Sequence, residues 1–326
     1  MNVLNNLIQP GFIETIDFSE WSLYGDTDSS YSQSKIPFNK LDDLNRTVKF
    51  CLDMAEDINK IYRDIFTETV EKFGNVNPKY NHMFFKSEII AARAMYNTKK
   101  NYGMAKMYDE GKLFENLALK KTGGQILKSD STRIVFDLLT EIYKKVLLDL
   151  SIQDEDTLYK EIYGRIYKKY LNRIIKSVQQ KHFTDFGIPK KWSNNKYKQV
   201  PPQVIGAMLY NYLFRDVLRP GESLFQVQLI INPSRLLQYY DEHPSKTKYQ
   251  IQKEDINHKL KTISFPVDMT DDEIKNVFEV FKEIDIKFDL KSIIEFNLDK
   301  KIDQFQKIFS DETRRNNIEF MSHRNS

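Results

Sequence analysis

Two carboxylates, Asp26 and Asp28, stand one residue apart within residues 24–29, which read Tyr-Gly-Asp-Thr-Asp-Ser. On a tight strand–turn–strand the side chains repeat every second residue, so these carboxylates can converge. Trp21, Leu23 and Tyr24 predict a short buried strand that enters the turn, and Gly25 lets the backbone bend there. The sequence therefore predicts a hairpin with a divalent-metal site at its tip.

Two other interpretations of the paired aspartates remain open. Asp-x-Asp is common in ordinary turns, because aspartate side chains bond to nearby backbone. A glycosyltransferase-type Asp-x-Asp would instead hold a metal and a sugar nucleotide, but that fold needs alternating strands and helices before the motif. We expect too little sequence there to form them, since only 23 residues precede Tyr24.

The whole segment 24–29 resembles motif C of family B DNA polymerases, which lies on a hairpin of the palm domain. The resemblance implies that Asp28 is the direct ligand of two catalytic Mg²⁺ ions and that Asp26 lies beside them. It also implies that Thr27 belongs to the immediate surroundings of the metal site. Asp26 and Asp28 are therefore the predicted catalytic and metal-binding residues.

A second segment, Lys99-Lys100-Asn101-Tyr102, resembles the Lys-Lys-x-Tyr motif of the same family. Lysines neutralise phosphate or reach minor-groove acceptors, and a tyrosine hydroxyl donates to a phosphate, so Lys99, Lys100 and Tyr102 are predicted to hold the primer end of a duplex. The alternative is a pair of solvated lysines in a turn. Residues 102–114 predict a β-hairpin with a polar, glycine-containing turn.

Residues 82–92 predict a strand that contains Glu88. The spacing resembles the palm strand of T-even-type phage polymerases, in which a glutamate at this position lies near the metal hairpin. The alternative is a solvated glutamate at a strand edge. Residues 119–132 resemble the segment that leaves the palm, with Lys120 and Gly123 predicted to contact DNA and Asp130 or Ser131 to cap the following helix.

Composition and periodicity define the elements that position these residues. The 326 residues are 40% hydrophobic and 13% aromatic, have a net charge of +3 and include one cysteine. They predict a soluble globular protein with no intrachain disulfide, no Cys-rich zinc site and neither a membrane span nor an export signal. Residues 41–73 predict a long amphipathic helix that ends before Gly74, packs on the back of the hairpin sheet and carries Cys51 in the core.

Helices are predicted from residue 134 to 147 and from 156 to 181, and the second helix is basic. Residues 160–200 contain 11 basic and 2 acidic residues, an excess of 11 − 2 = +9, whereas the whole chain carries +3. Such a run is often only the solvated face of a helix. A thumb domain that grips duplex phosphates needs this surface, and the predicted DNA-binding residues on it are Arg165, Lys168, Lys169, Arg173 and Lys176.

Residues 201–210 resemble a thumb segment of T-even-type enzymes, although Gln203 and Ile205 replace polar or basic residues there. A strand is predicted over 223–232 and helices over 271–284 and 290–310. The tail resembles the apolar–acidic–aromatic peptide with which phage family B polymerases bind a sliding clamp, which assigns clamp binding to Ile318, Phe320 and Met321. The alternative is a frayed tail.

These observations predict an α+β fold: a partial palm of antiparallel β-hairpins backed by a long helix (residues 1–129), a mostly helical thumb (130–315) and a flexible tail (316–326). Ser22-Leu23-Tyr24 echoes motif A, but Ser19 occupies the place of its aspartate. We therefore expect the C-terminal subunit of a split polymerase, inactive alone, with Mg²⁺, dNTP and primer-template DNA as ligands. A second chain would carry motif A, fingers and exonuclease.

The resemblance also implies a phage replisome in the host cytoplasm, without membrane association. The alternative function is a non-catalytic subunit that binds duplex DNA or tethers the clamp.

Overall fold

The computed structural model describes residues 22–25, 30–32, 44–74, 77, 79, 86–98, 101–123, 131–152, 154–193, 198–214, 218–258 and 260–316. The chain divides into two compact units, residues 1–94 with 104–120 and residues 95–103 with 121–326. Helices and antiparallel sheets with hairpin strands occur together, so the predicted α+β class is confirmed.

The first two strands, β1 (Ser22–Gly25) and β2 (Ser30–Ser32), form the hairpin predicted around the acidic segment. They pair antiparallel, with Tyr24 opposite Tyr31 and Gly25 opposite Ser30. The register shifts between Ser22 and Tyr24, which marks a bulge or irregularity in β1.

The long helix α1 (Leu44–Gly74) confirms the prediction and ends at the expected glycine. Its C-terminal half differs from the expected packing, because the apolar side chains Tyr62, Ile65 and Phe73 are 40%, 42% and 86% exposed. Cys51 is half-buried and not a core residue, since the apolar stripe of α1 is only partly covered. The buried side chains of this helix lie between its N-terminus and its midpoint: Thr47, Val48 and Asn59.

Strands β3 (Ile89–Thr98), β4 (Asn101–Asp109) and β5 (Lys112–Thr122) form a sheet in that order. The predicted hairpin over 102–114 is confirmed as β4 and β5 joined by Glu110 and Gly111. Both residues have positive φ, 45° and 92°. Two-residue hairpin turns of this kind favour glycine because it carries no Cβ.

Helix α2 (Arg133–Leu147) is capped by Thr132, whereas Asp130 or Ser131 was predicted. The helix begins one or two residues later than that prediction requires, and the Thr132 hydroxyl accepts a hydrogen bond from the Val135 amide at 3.2 Å. Thr132 is completely buried, and its hydroxyl also donates to Asn297 Oδ1 at 2.6 Å.

The predicted basic helix is a helical run of three segments: α3 (Glu155–Tyr159), a π-helical segment (Lys160–Ile166) and α4 (Tyr167–Gln179). One side of the run is buried and rich in tyrosine, and the rings of Tyr159 and Tyr163 stack with centroids 4.5 Å apart. Because this side faces the core, the basic side chains of the run lie on the opposite side.

A sheet follows that the sequence predicted only in part. Strand β7 (Ser223–Ile231) pairs antiparallel with β6 (Ile188–Lys191), β8 (Thr262–Pro266) and β9 (Ile286–Phe288). The helices of this region are α5 (Phe183–Phe186), α6 (Pro202–Leu213), α7 (Pro233–Glu242), α8 (Lys253–His258) and α9 (Asp271–Glu283). Only β7 and α9 were predicted, so this region contains more sheet than expected.

The predicted C-terminal helix consists of α10 (Leu290–Ile294), a π-helical segment (Glu295–Asp299), α11 (Lys300–Ile302) and a 3₁₀ segment (Asp303–Ile308), followed by α12 (Asp311–Asn316). Buried Asn297 joins this region to the rest of its unit, because its amide donates to the carbonyl of Phe186 at 3.3 Å while its oxygen accepts from Thr132.

Candidate nucleic-acid interface

The acidic segment lies between the paired strands β1 and β2. Gly25 and Ser30 are partners in the register, and the chain passes from one to the other through residues 26–29. The predicted metal ligands Asp26 and Asp28, together with Thr27, lie outside the described residues. Their roles stay predictions, and the hairpin strands on both sides of them are the part that the structure supplies.

The Lys-Lys-x-Tyr segment covers the connection between β3 and β4 and the first two residues of β4. Lys99 and Lys100 fall between the end of β3 and the start of β4, outside the described residues. Tyr102, on β4, is only 8% exposed, and its ring centroid lies 5.6 Å from that of Tyr96 on β3. Its ring therefore helps to pack the hairpin, while its predicted contact with the primer end stays a prediction.

Glu88 lies immediately before β3, whereas the sequence placed it inside a strand over 82–92. The strand begins at Ile89 and continues to Thr98, because it pairs with β4. The side chain of Glu88 is exposed, and its backbone carbonyl accepts a hydrogen bond from the Glu110 amide at 2.8 Å. The backbone of Glu88 thus holds the β4–β5 turn, and its proximity to a metal stays a prediction.

Lys120 and Gly123 lie at the end of β5 and just beyond it. Both are partly exposed. Gly123 has φ of 64°, a left-handed conformation that favours glycine. The conformational reason for a glycine here is therefore clear, and DNA contact by either residue stays a prediction.

Three of the five cations predicted on the basic helical run form ion pairs. Arg173 Nη1 lies 2.6 Å from Asp137 Oδ2, and Lys169 Nζ lies 2.5 Å from Glu141 Oε2. Arg165 Nε lies 2.8 Å from an oxygen of its neighbour in the run, Glu161. Asp137 and Glu141 belong to α2, outside the window whose charges were summed. These two acids, which lie elsewhere in the sequence, reduce the excess of the run to 9 − 2 = +7.

Glu141 is the acid that receives most of these contacts. Its side chain is 23% exposed, and Oε2 accepts a hydrogen bond from the Tyr170 hydroxyl at 3.1 Å as well as from Lys169. Burial acts to raise the pKa of Glu141, but the hydrogen bonds and the nearby cations outweigh it and lower the pKa. Burial is also the main cause that raises the pKa of Tyr170, followed by the charge of Glu141. Glu141 is thus ionised at neutral pH and holds α4 to α2.

The other two predicted cations, Lys168 and Lys176, are exposed and form no ion pair within the part of the chain that the structure describes. They lie eight residues apart on α4, which separates them by about 80° around the helix and by about 12 Å along its axis. Of the five predicted cations, these two remain available to phosphate.

Sequence reasoning missed the acids of α2 and also a pair of lysines, Lys121 and Lys144. Asp137 and Glu141 stand four residues apart, so their common helix face could be found from the sequence. Their pairing with α4 could not, because it depends on how the two helices pack. No sequence pattern distinguished Lys121 as a functional residue from its neighbour Lys120, which was predicted to contact DNA.

The predicted clamp-binding residues Ile318, Phe320 and Met321 lie beyond the last described residue. Within the described ranges, no group of three or more His, Cys, Asp or Glu side chains could hold a metal ion. No helix in the same ranges is long and apolar enough to cross a membrane. Comparison of the chain with protein-family models and with curated proteins finds no match.

Proposed function

We propose that this chain is the C-terminal subunit of a split family B DNA polymerase and supplies the motif C carboxylates and a DNA-gripping thumb. The observation that carries the proposal is the pairing of β1 with β2 directly on both sides of residues 26–29. Motif C of that family lies on such a hairpin. In this proposal the enzyme is of phage type and acts in the host cytoplasm.

The donor chemistry of the hairpin suits Mg²⁺, because Asp26 and Asp28 offer hard carboxylate oxygens. Asp28 would hold the ion directly, with Asp26 beside it and Thr27 and Glu88 in its surroundings. When bound, Mg²⁺ supplies activation of the primer 3′-hydroxyl and charge stabilisation at the leaving pyrophosphate. A near-octahedral ion needs further oxygen ligands, which in this proposal come from motif A on a second polypeptide.

The exposed apolar side chains of α1 support the proposal that a second polypeptide binds this chain. A 31-residue helix whose C-terminal half exposes Tyr62, Ile65 and Phe73 leaves its apolar stripe in water. Exposed stripes of this kind mark surfaces that are covered on assembly. In this proposal the partner chain, which also carries fingers and exonuclease, packs on that half of α1.

DNA binding is assigned to the second unit and to the β3–β4 connection. Lys168 and Lys176 offer cations that no described acid neutralises, and Lys99 and Lys100 add two more from the connection. Phosphate contacts by such lysines give affinity without sequence preference. This matches the needs of a polymerase thumb, which must hold any primer-template.

The test is to copurify the chain with candidate partner chains and to measure Mg²⁺-dependent primer extension by each complex. Asp28→Asn is expected to lower the turnover of the active complex by a factor on the order of 10³ or more, with unchanged affinity for duplex DNA. Asp272→Asn removes the same charge from a 94% exposed site and is the matched control. Extension by this chain alone, or no extension by any complex, would contradict the proposal.

A second candidate is a non-catalytic subunit that binds duplex DNA or tethers a sliding clamp through Ile318, Phe320 and Met321. Lys168 and Lys176, which are exposed and pair with no described acid, favour it, since they need only a phosphate backbone and no metal. The same variant separates the two candidates. A replication complex whose primer extension is unaffected by Asp28→Asn would select the non-catalytic subunit.

A further inference from the structure

The surface of α2 has two neighbouring stripes with opposite electrostatic character. One stripe contains Asp137 and Glu141, which are paired with the cations of α4. The other is shifted by one residue and contains Phe136, Thr140 and Lys144, four residues apart in turn. No acid lies on this second stripe. Lys144 lines a surface pocket with Glu141 and Asp149, but within the described residues these acids form their ion pairs with Lys145, Arg165 and Lys169.

Lys121, at the end of β5, lies on the second stripe. Its Nζ donates a hydrogen bond to Thr140 Oγ1 at 3.0 Å and lies 5.4 Å from the centroid of the Phe136 ring. The side chain is partly buried, and no described carboxylate pairs with it. Burial lowers the pKa of Lys121, and the charge of Lys144 lowers it further.

Two ammonium groups close together, one of them partly desolvated, are unfavourable unless an anion joins them. Lys121 has two N–H donors left after its bond to Thr140, and the exposed Lys144 has three. The ring of Phe136, which is 47% exposed, offers an apolar surface beside them. Charge, donors and apolar surface together match a phosphate attached to a sugar.

We propose that Lys121, Thr140 and Lys144 form a phosphate-binding subsite for the backbone of duplex DNA, with a deoxyribose packed on Phe136. The subsite rests on the proposed DNA-binding function, and it adds residues that neither the basic run nor the family resemblance assigns. It also predicts that the duplex contacts the second stripe of α2, beside the stripe whose acids Asp137 and Glu141 are paired with α4.

The test is duplex binding by Lys121→Gln/Lys144→Gln, measured by fluorescence anisotropy between about 50 and 200 mM salt. Two lost phosphate contacts should reduce the salt slope of log K by about 1.8, which corresponds to roughly 60-fold weaker binding at 0.1 M salt. Lys275→Gln/Lys287→Gln changes the net charge equally at two exposed lysines and should keep the wild-type slope. Lys121→Arg/Lys144→Arg should restore binding, because arginine also binds phosphate.

A second measurement follows Lys121 directly, by NMR of ¹³C-methylated lysines with Lys121→Arg used for assignment. Added duplex should raise the pKa of Lys121, because a phosphate favours its charged form. A pKa that rises with inorganic pyrophosphate but not with duplex would overturn the DNA subsite in favour of a free-anion site.

The salt slopes separate the two proposals. If wild-type protein binds duplex and the double glutamine variant keeps the full slope, the subsite is wrong and the proposed function stands. If the wild-type protein shows no duplex binding, both proposals fail together.

Discussion

Glu141→Gln should reveal how strongly the acids of α2 hold the basic helix. The wild-type carboxylate accepts hydrogen bonds from Lys169 at 2.5 Å and from the Tyr170 hydroxyl at 3.1 Å, and Arg165 Nη1 lies 3.4 Å away. Glutamine keeps nearly the same shape and an acceptor oxygen, so the substitution removes the charge and leaves no cavity. The measured effect should therefore be electrostatic.

The size of the effect follows from the exposure of each partner. Arg165 and Lys169 are 52% and 55% exposed, so each ion pair contributes only about 0.5 kcal/mol. The hydrogen bond from Tyr170, which is buried, weakens by about 1 kcal/mol when its acceptor loses its charge. Glu141→Gln should thus lower the free energy of unfolding by about 2 kcal/mol at pH 7.

The direction of the pKa shift of Glu141 determines how its contribution to stability changes with pH. The pKa of Glu141 is lower in the folded protein than the ordinary value of 4.5. Its stabilising contribution is therefore fully present above about pH 4.5 and disappears as the pH falls through the folded pKa. The difference between wild type and Glu141→Gln should be constant from pH 7 to about pH 5 and shrink below that.

Urea unfolding followed by tryptophan fluorescence is a suitable assay, because Trp192 is 5% exposed and lies in the same unit as Glu141. Asp272→Asn, at a 94% exposed side chain, is the control and should change the free energy of unfolding by less than about 0.5 kcal/mol. An equal difference between wild type and Glu141→Gln at pH 7 and pH 3 would refute the electrostatic explanation.

Two further substitutions test the packing of the same unit. Thr132→Val removes both the cap of α2 and the buried bond to Asn297, and should lower the free energy of unfolding by about 2–4 kcal/mol, whereas Thr132→Ser should retain most of it in the same urea assay. Gly103→Ala places a Cβ 2.6 Å from Tyr143 Cε1 and should lower the thermal midpoint through an overpacking cost of about 1–3 kcal/mol; an unchanged midpoint would show that Tyr143 yields freely.

The elements that were predicted correctly are those whose residue pattern lies within the element itself. In helix α1 apolar residues recur at helical spacing over many turns, and a glycine stands at the end. The β4–β5 turn contains the glycine that a two-residue turn favours. The strands β6 and β9 were missed because they contain four and three residues, too few to show a period. Their position is set by pairing with β7, and the sequences of such short segments do not predict that pairing.

The candidate site shows the same division between local and tertiary information. The hairpin around Asp26 and Asp28 could be predicted, because glycine and the flanking apolar residues lie next to them in the sequence. The cap of α2 was misplaced by one residue or two, since Asp130, Ser131 and Thr132 are all of types found at N-caps and aspartate and serine are preferred slightly over threonine. Only the buried bond from Thr132 to Asn297, 165 residues away, distinguishes them.

A sum of charges along the sequence counts cations, whereas a phosphate backbone responds only to the cations that remain unpaired in the fold. Residues 160–200 have an excess of 11 − 2 = +9 in sequence, yet Arg165, Lys169 and Arg173 are paired with acids. Lys121 and Lys144 lie outside that window and form no ion pair with a described acid. Because paired cations release few counterions from DNA, the salt slope should follow the second set more closely than the first. In the proposed DNA complex, the path of the duplex on this unit therefore depends on where α2 places its acids.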